Sequence, residues 1–182
     1  MEHLYYLVAQ LPAFTVNDDA NYKLPITTEY YRDLCCRFMS PKDAEMAKNL
    51  SLEPPRESES TGSQFLDAWY TKERNLRLAL AQIRALKMKK EAKDFSITTD
   101  GEVIQAARTA TGMDSPLTAE QYLNQYRMSV LDKIAPLDLF SVDAVYSYGL
   151  KLMLAERMKK FNRDEGLASY HKIYDEILGE KK

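Results

Sequence analysis

From Phe65 to Leu86 the chain runs FLDAWYTKERNLRLALAQIRAL, a stretch free of proline and glycine. With each residue turned about 100° from the last, Phe65, Trp69, Leu76, Ala79, Leu80, Ile83 and Leu86 share one face. A helix this long with one apolar side must bury that side against other elements, so a helical bundle is the first expectation. Lys72 falls inside the apolar arc, where its stem can snorkel to solvent, and Arg74, Arg77 and Arg84 follow it.

The rest of the chain reads as further helices around this one. Leu4 to Ala9 is read as a short extended segment limited by Pro12. Thr27 or Thr28 can cap a helix with Tyr30, Tyr31, Leu34, Cys35 and Phe38 at helical spacing, and Ser40 with Pro41 caps a short second one. SLEPPRESESTG, residues 51–62, has the composition of a linker or exposed loop. It separates an N-terminal helical piece, residues 1–50, from a main bundle, residues 63–182, within a single helical domain.

The central helix is expected to run to about Lys93, where KMKKEAK brings positive charge to its C-terminal end. Asp100 opens a short helix that Gly112 closes, and TAEQ at Thr118 to Gln121 has the form of a capping box before Tyr122, Leu123, Tyr126 and Val130. Pro136 ends that helix. Ser141 caps the next, whose apolar side is Tyr146, Leu150, Met153, Leu154 and Phe161. A last helix carries Leu167, Tyr170, His171, Tyr174, Ile177 and Leu178 on one stripe and stops at Gly179. The expected class is all-α, a bundle of six or seven helices, with short connections after Pro136 and Asn162 favouring antiparallel neighbours.

Composition removes several classes of function. Lys+Arg 25 against Asp+Glu 27 gives a formal charge of -2, without the basic excess of a nucleic-acid protein. The two cysteines, Cys35 and Cys36, are adjacent, and bridging neighbours requires a strained ring, so a reduced pair in a reducing, cytoplasmic setting is expected. The start MEHLYYLVAQLP lacks a basic n-region, and no segment approaches the roughly 20 apolar residues of a membrane span.

Neither a G-x-x-x-x-G-K-[ST] loop nor a G-x-G-x-x-G turn is present, and the cysteines lack zinc spacing. His3 and His171 are the only histidines, and His171 on an apolar stripe reads as a partly buried packing residue. The acidic pairs Asp18–Asp19 and Asp164–Glu165 read as solvated or capping groups. No cofactor or metal is expected. Most of the 12 tyrosines read as core rims, a residue type that also suits surfaces meeting another protein. Arg74, Arg77 and Arg84 are either a solvated flank or fixed donors for carboxylates and helix-end carbonyls.

Three blocks resemble an uncharacterised bacterial family encoded with V-type (V/A-type) ATPases, a divergent form of the ATPase's C-type subunit, called d in eukaryotes. The blocks are LYYLVAQLP, AWYTKERNLRLALAQIRALK and VLDKIAPLDLFSVDAVYSYGLKLMLAERMKKFNRDEGLASYHKIYDEIL, together roughly half of the chain. In that family one helix carries an acid, an asparagine soon after and an arginine about two turns on. Glu73, Asn75 and Arg84 echo the order; if Arg84 is aligned strictly, Asn75 takes the acidic position and Leu78 the asparagine's. Glu156 and Arg157, charged within an apolar helix, are the second echo. The C-type subunit is built from three similar helical lobes and is longer than this chain.

The resemblance implies a non-catalytic coupling subunit of ion- or proton-transport machinery. It would sit at the cytoplasmic face of the cell membrane through protein contacts alone and link the rotor ring to the central stalk. Arg84 is then expected to meet a carboxylate or carbonyl. The alternative is a freestanding helical adaptor or assembly factor for another protein.

Overall fold

The computed structural model describes residues 4–15, 23–56, 60–89, 100–159 and 163–179, and the side chains of 163–165 are left aside. The described residues form eight helices and no strand: α1 (Tyr5–Gln10), α2 (Thr28–Phe38), α3 (Pro41–Lys48), α4 (Gln64–Lys87), α5 (Gly101–Gly112), α6 (Pro116–Ile134), α7 (Val142–Lys159) and α8 (Arg163–Leu178). The chain is all-α, as its periodicity requires.

Side-chain caps set most of the starts. The Tyr30 amide donates to Thr27 Oγ1 at 3.2 Å, the Asp43 amide to Ser40 Oγ at 3.3 Å ahead of Pro41, and the Ala144 amide to Ser141 Oγ at 3.2 Å. Asp100 accepts from the amides of Glu102 and Val103. The capping box TAEQ is not the start of α6; Ser115 is the cap, and Pro116, with φ already suited to a helix, takes the first position. Leu4 to Ala9 is not extended. Leu4, which precedes α1, and Leu7 within it are buried together, and the Leu4 amide donates to the Phe140 carbonyl at 2.9 Å. α4 ends at Lys87, and Lys90 to Lys93 lie outside the described residues.

Two apolar cores share α4. The larger gathers Leu7, Tyr31, Leu34, Leu66, Trp69, Leu131, Leu150 and Leu154, so the N-terminal helices and the main bundle have one interior. The smaller is built of Leu76, Ala79 and Leu80 on α4, Val103, Ala106, Ala107 and Ala110 on α5, and Leu123 on α6. Ile83 is only partly buried at its edge, and Leu86 is 67 % exposed.

Tyrosine hydroxyls tie the N-terminal third to α7. Tyr31 donates to the Val145 carbonyl at 2.9 Å, Tyr146 to that of Asp43 at 3.2 Å, and Tyr148 to that of Pro12 at 2.8 Å. Tyr31 lies so close to Gly149 that a Cβ there would meet its hydroxyl at 2.5 Å. The segment 51–62 is pinned at both of its described ends. Arg74 donates to the Pro55 carbonyl at 3.0 Å, while Asp67 accepts from Ser60 Oγ, Thr61 Oγ1 and the Thr61 amide at 2.7–2.8 Å.

α8 differs from the rest. Every side chain described from Leu167 to Leu178 is exposed, His171 included, so that histidine packs only edge-on against Tyr170 with centroids 5.7 Å apart. Phe161 falls outside the described residues. Among those residues no helix is long and apolar enough to cross a membrane.

Candidate functional site

Glu73 sits on α4 at the level where the two cores meet, with 2 % of its surface exposed. A carboxylate there cannot keep its hydration shell, so its charge must be met by the protein. Two arginines meet it. Arg77, one turn further along α4, donates from Nε to Glu73 Oε1 at 2.8 Å. Arg127, from α6, makes a two-pronged contact, Nε to Oε2 at 2.9 Å and Nη2 to Oε1 at 3.0 Å. The paired donors of a guanidinium match a carboxylate in this way and fix the angle between the helices that carry them.

The network continues outward on both sides. Arg127 Nη1 donates to Asn124 Oδ1 at 3.3 Å and lies 3.7 Å from Glu120, which also accepts from Arg157 Nη2 of α7 at 2.5 Å. Arg77 Nη1 reaches Glu53 of the 51–62 segment at 3.4 Å. Burial pulls the Arg77 guanidinium down, but its hydrogen bond to Glu73 and the charges of Glu73 and Glu53 more than offset this and hold it above its ordinary range. Asn124 is fully buried, and its Nδ2 has no hydrogen-bond partner among the described residues.

A second carboxylate joins distant parts of the chain. Glu156 on α7 accepts from the Thr28 amide and from Thr28 Oγ1, both at 2.7 Å. It supplies negative charge at the N-terminus of α2, where unpaired amides and the helix dipole favour it. On the smaller core, Lys72 bonds Asp100, the cap of α5, so the lysine within the apolar arc has an ionic partner instead of merely snorkelling.

The residues singled out from the sequence divide accordingly. Glu73, Arg77 and Arg157 belong to one network; Glu156 caps α2, and Arg74 holds the 51–62 segment. Asn75 is half-buried and joins none of these contacts. Arg84 corrects an expectation: it is exposed and its guanidinium has no hydrogen-bond or ion-pair partner among the described residues, because α4 turns that side to solvent. The arginine that answers Glu73 is Arg127. It was detectable in principle, since it lies in the same arc of α6 as Leu123, Val130 and Leu131, where a charged side chain needs a partner.

Two clefts lie away from this network. One, of about 260 Å³, is walled by Val8, Leu11, Pro136, Leu139 and Tyr148 with Lys151 at its edge. The other, of about 170 Å³, lies between Asp43, Met46, Ser63, Asp143 and Tyr146. Burial, with the charges of Asp43 and Asp143, pushes the Tyr146 phenol above its ordinary range. Ser63 caps α4 and donates to Asp143 at 2.6 Å, joining the starts of α4 and α7. Guanidiniums do not release protons, so the chemistry that the Glu73 network offers is fixed charge in a fixed geometry.

A family model described as a protein of unknown function (DUF2764) matches residues 90–181, half of the chain, and the chain belongs to that family. The match includes Glu120, Asn124, Arg127, Glu156 and Arg157, while Glu73 and Arg77 precede it. No curated protein and no solved structure matches the chain.

Proposed function

We propose that this DUF2764 protein is a non-catalytic coupling subunit associated with a V-type ATPase, linking the membrane rotor ring to the central stalk from the cytoplasmic side. The observation that carries the reading is the bracing of α4 by the clamp of Arg77 and Arg127 on Glu73. α4 is the helix whose sequence, AWYTKERNLRLALAQIRALK, resembles the ATPase's C-type subunit. Its 24 residues span about 36 Å through both cores. A part that transmits torque needs such a member, whose crossing with its neighbours is fixed by directional bonds. Arg84 lends the reading no support, and the weight rests on the resemblance of the three blocks and on this stiff body.

The test is recovery of the tagged chain from gently solubilised membranes. Rotor-ring and stalk subunits are expected to elute with it in constant proportion. Their reproducible absence overturns the coupling role. It leaves a freestanding adaptor or assembly factor, a reading that the exposed apolar side of α8 favours in its own right.

A further inference from the structure

α8 presents Leu167, Tyr170, Ile173, Tyr174, Ile177 and Leu178 to solvent, each between 49 % and 77 % exposed. Leu167, Tyr170, Tyr174 and Ile177 follow one another at intervals of three, four and three residues, the spacing of a seam between two helices. Ile173 and Leu178 flank that seam, and Asp175 and Glu176 lie on the outer side. The Tyr170 and Tyr174 rings stack along the helix, 5.9 Å between centroids and 27° between planes, which gives a stiff aromatic centre.

The four seam residues are symmetric about position 172, whereas the flanking Ile173 and Leu178 would face His171 and Gly166. Leu167 and Ile177 lie five residues to either side of it, and Tyr170 and Tyr174 two. A second α8 laid antiparallel, crossing at that height, sets Leu167 against Ile177 and Tyr170 against Tyr174 at both ends of a two-fold axis. This is the self-complementarity that an isologous interface requires, and antiparallel helices also oppose their dipoles favourably.

From this we infer that the free chain forms a homodimer through α8, with a second copy as the occupant of its apolar face. At about 100 Å² of exposed side chain each, the six residues offer roughly 600 Å² per helix, so the pair covers roughly 1,200 Å², the lower edge of specific interfaces. Interfaces that small sit at the weak end of specific association, so the expected dissociation constant is about micromolar. It is a property of the chain alone, and its test is separate from association with an ATPase.

Sedimentation velocity on the full chain, from below to well above micromolar concentration, reads the equilibrium. Tyr174→Lys is expected to weaken the dimer on the order of thirtyfold, and Glu176→Lys, on the outer side, to leave it unchanged. From Leu167 to Leu178 α8 has no buried side chain, and Tyr174 and Glu176 are both exposed, so neither change threatens the fold. A chain that stays monomeric up to about 100 µM, two orders above the expected constant, overturns the inference. So does a dimer indifferent to Tyr174→Lys. Orientation is read by oxidation in a Cys36→Ser background: Tyr170→Cys and Tyr174→Cys chains should crosslink when mixed, and self-crosslinking of either one alone refutes the antiparallel pairing.

Discussion

The larger core is closed by Trp69, Tyr31 and a set of leucines, whereas half of the smaller one's buried residues are alanines, Ala79, Ala106, Ala107 and Ala110, beside Leu76, Leu80, Val103 and Leu123. Bulky side chains hold helices apart and leave many arrangements of similar packing energy. The larger core selects among them with directional bonds from Tyr31, Tyr146 and Tyr148 to main-chain carbonyls. Alanine faces let α4 and α5 approach closely, so shape fixes that pairing and the polar contacts move to the rim: Lys72 with Asp100, Lys133 with Glu102, and Lys87 with the Thr111 carbonyl. At the boundary, where neither scheme is complete, the chain buries Glu73 and answers it with two arginines.

The sharpest break in this comparison comes at the boundary itself. Arg127→Met leaves Glu73 buried with Arg77 alone, and the expected loss is about 3–5 kcal/mol in urea unfolding. Glu73→Leu combined with Arg127→Met should recover most of it, since apolar groups of similar volume restore packing without an unpaired charge. A loss under about 1 kcal/mol for Arg127→Met alone shows the clamp to be dispensable.

Within the larger core, Gly149→Ala forces a methyl against the Tyr31 ring and hydroxyl and should cost about 1–3 kcal/mol by overpacking. The penalty should shrink in a Tyr31→Leu background, where the ring atoms and hydroxyl at 2.5–2.7 Å are all gone; an equal penalty in both backgrounds excludes this contact as its cause.

At the rim of the smaller core the effect is least and depends on pH. The Lys72 hydrogen bond, against opposing burial, together with the amides of Val103 and Glu102, holds the Asp100 carboxyl below its ordinary value of 3.8. The folded value is the lower one, so the stabilisation is present above that ordinary value and is lost as pH falls through the native one. Lys72→Ala should cost only about 0.5 kcal/mol at neutral pH, and its stability should converge with that of the parent chain in acid. A gap that persists undiminished in acid assigns the effect to packing of the lysine stem.

What could be read in advance follows from the range of each signal. Thr27, Ser40, Asp100 and Ser141 act within three residues of their own position, and each caps a helix as its local pattern implies. Ser115 was obscured by TAEQ three residues on, although Pro116 marks the true start. Leu4 to Ala9 is too short for a period of two to be told from one of 3.6, and the burial of Leu4 with Leu7 decided it. The pairing of Glu73 with Arg127 spans 54 residues, a distance over which no local pattern has authority. The sequence did mark both as charged residues in strongly helical segments. What was lacking was the fold that turns them towards each other.

The bond from Thr28 to Glu156 spans 128 residues, and Tyr31 reaches Val145 across 114. During synthesis, α2 and α3 leave the ribosome long before the helix that completes their interior exists. They must wait as marginal segments, too short to hold helical structure firmly by themselves. The first-made part of the protein is thus among the last to become stable, and a chain interrupted before Glu156 gives a nascent product whose N-terminal helices remain open to chaperones and proteases.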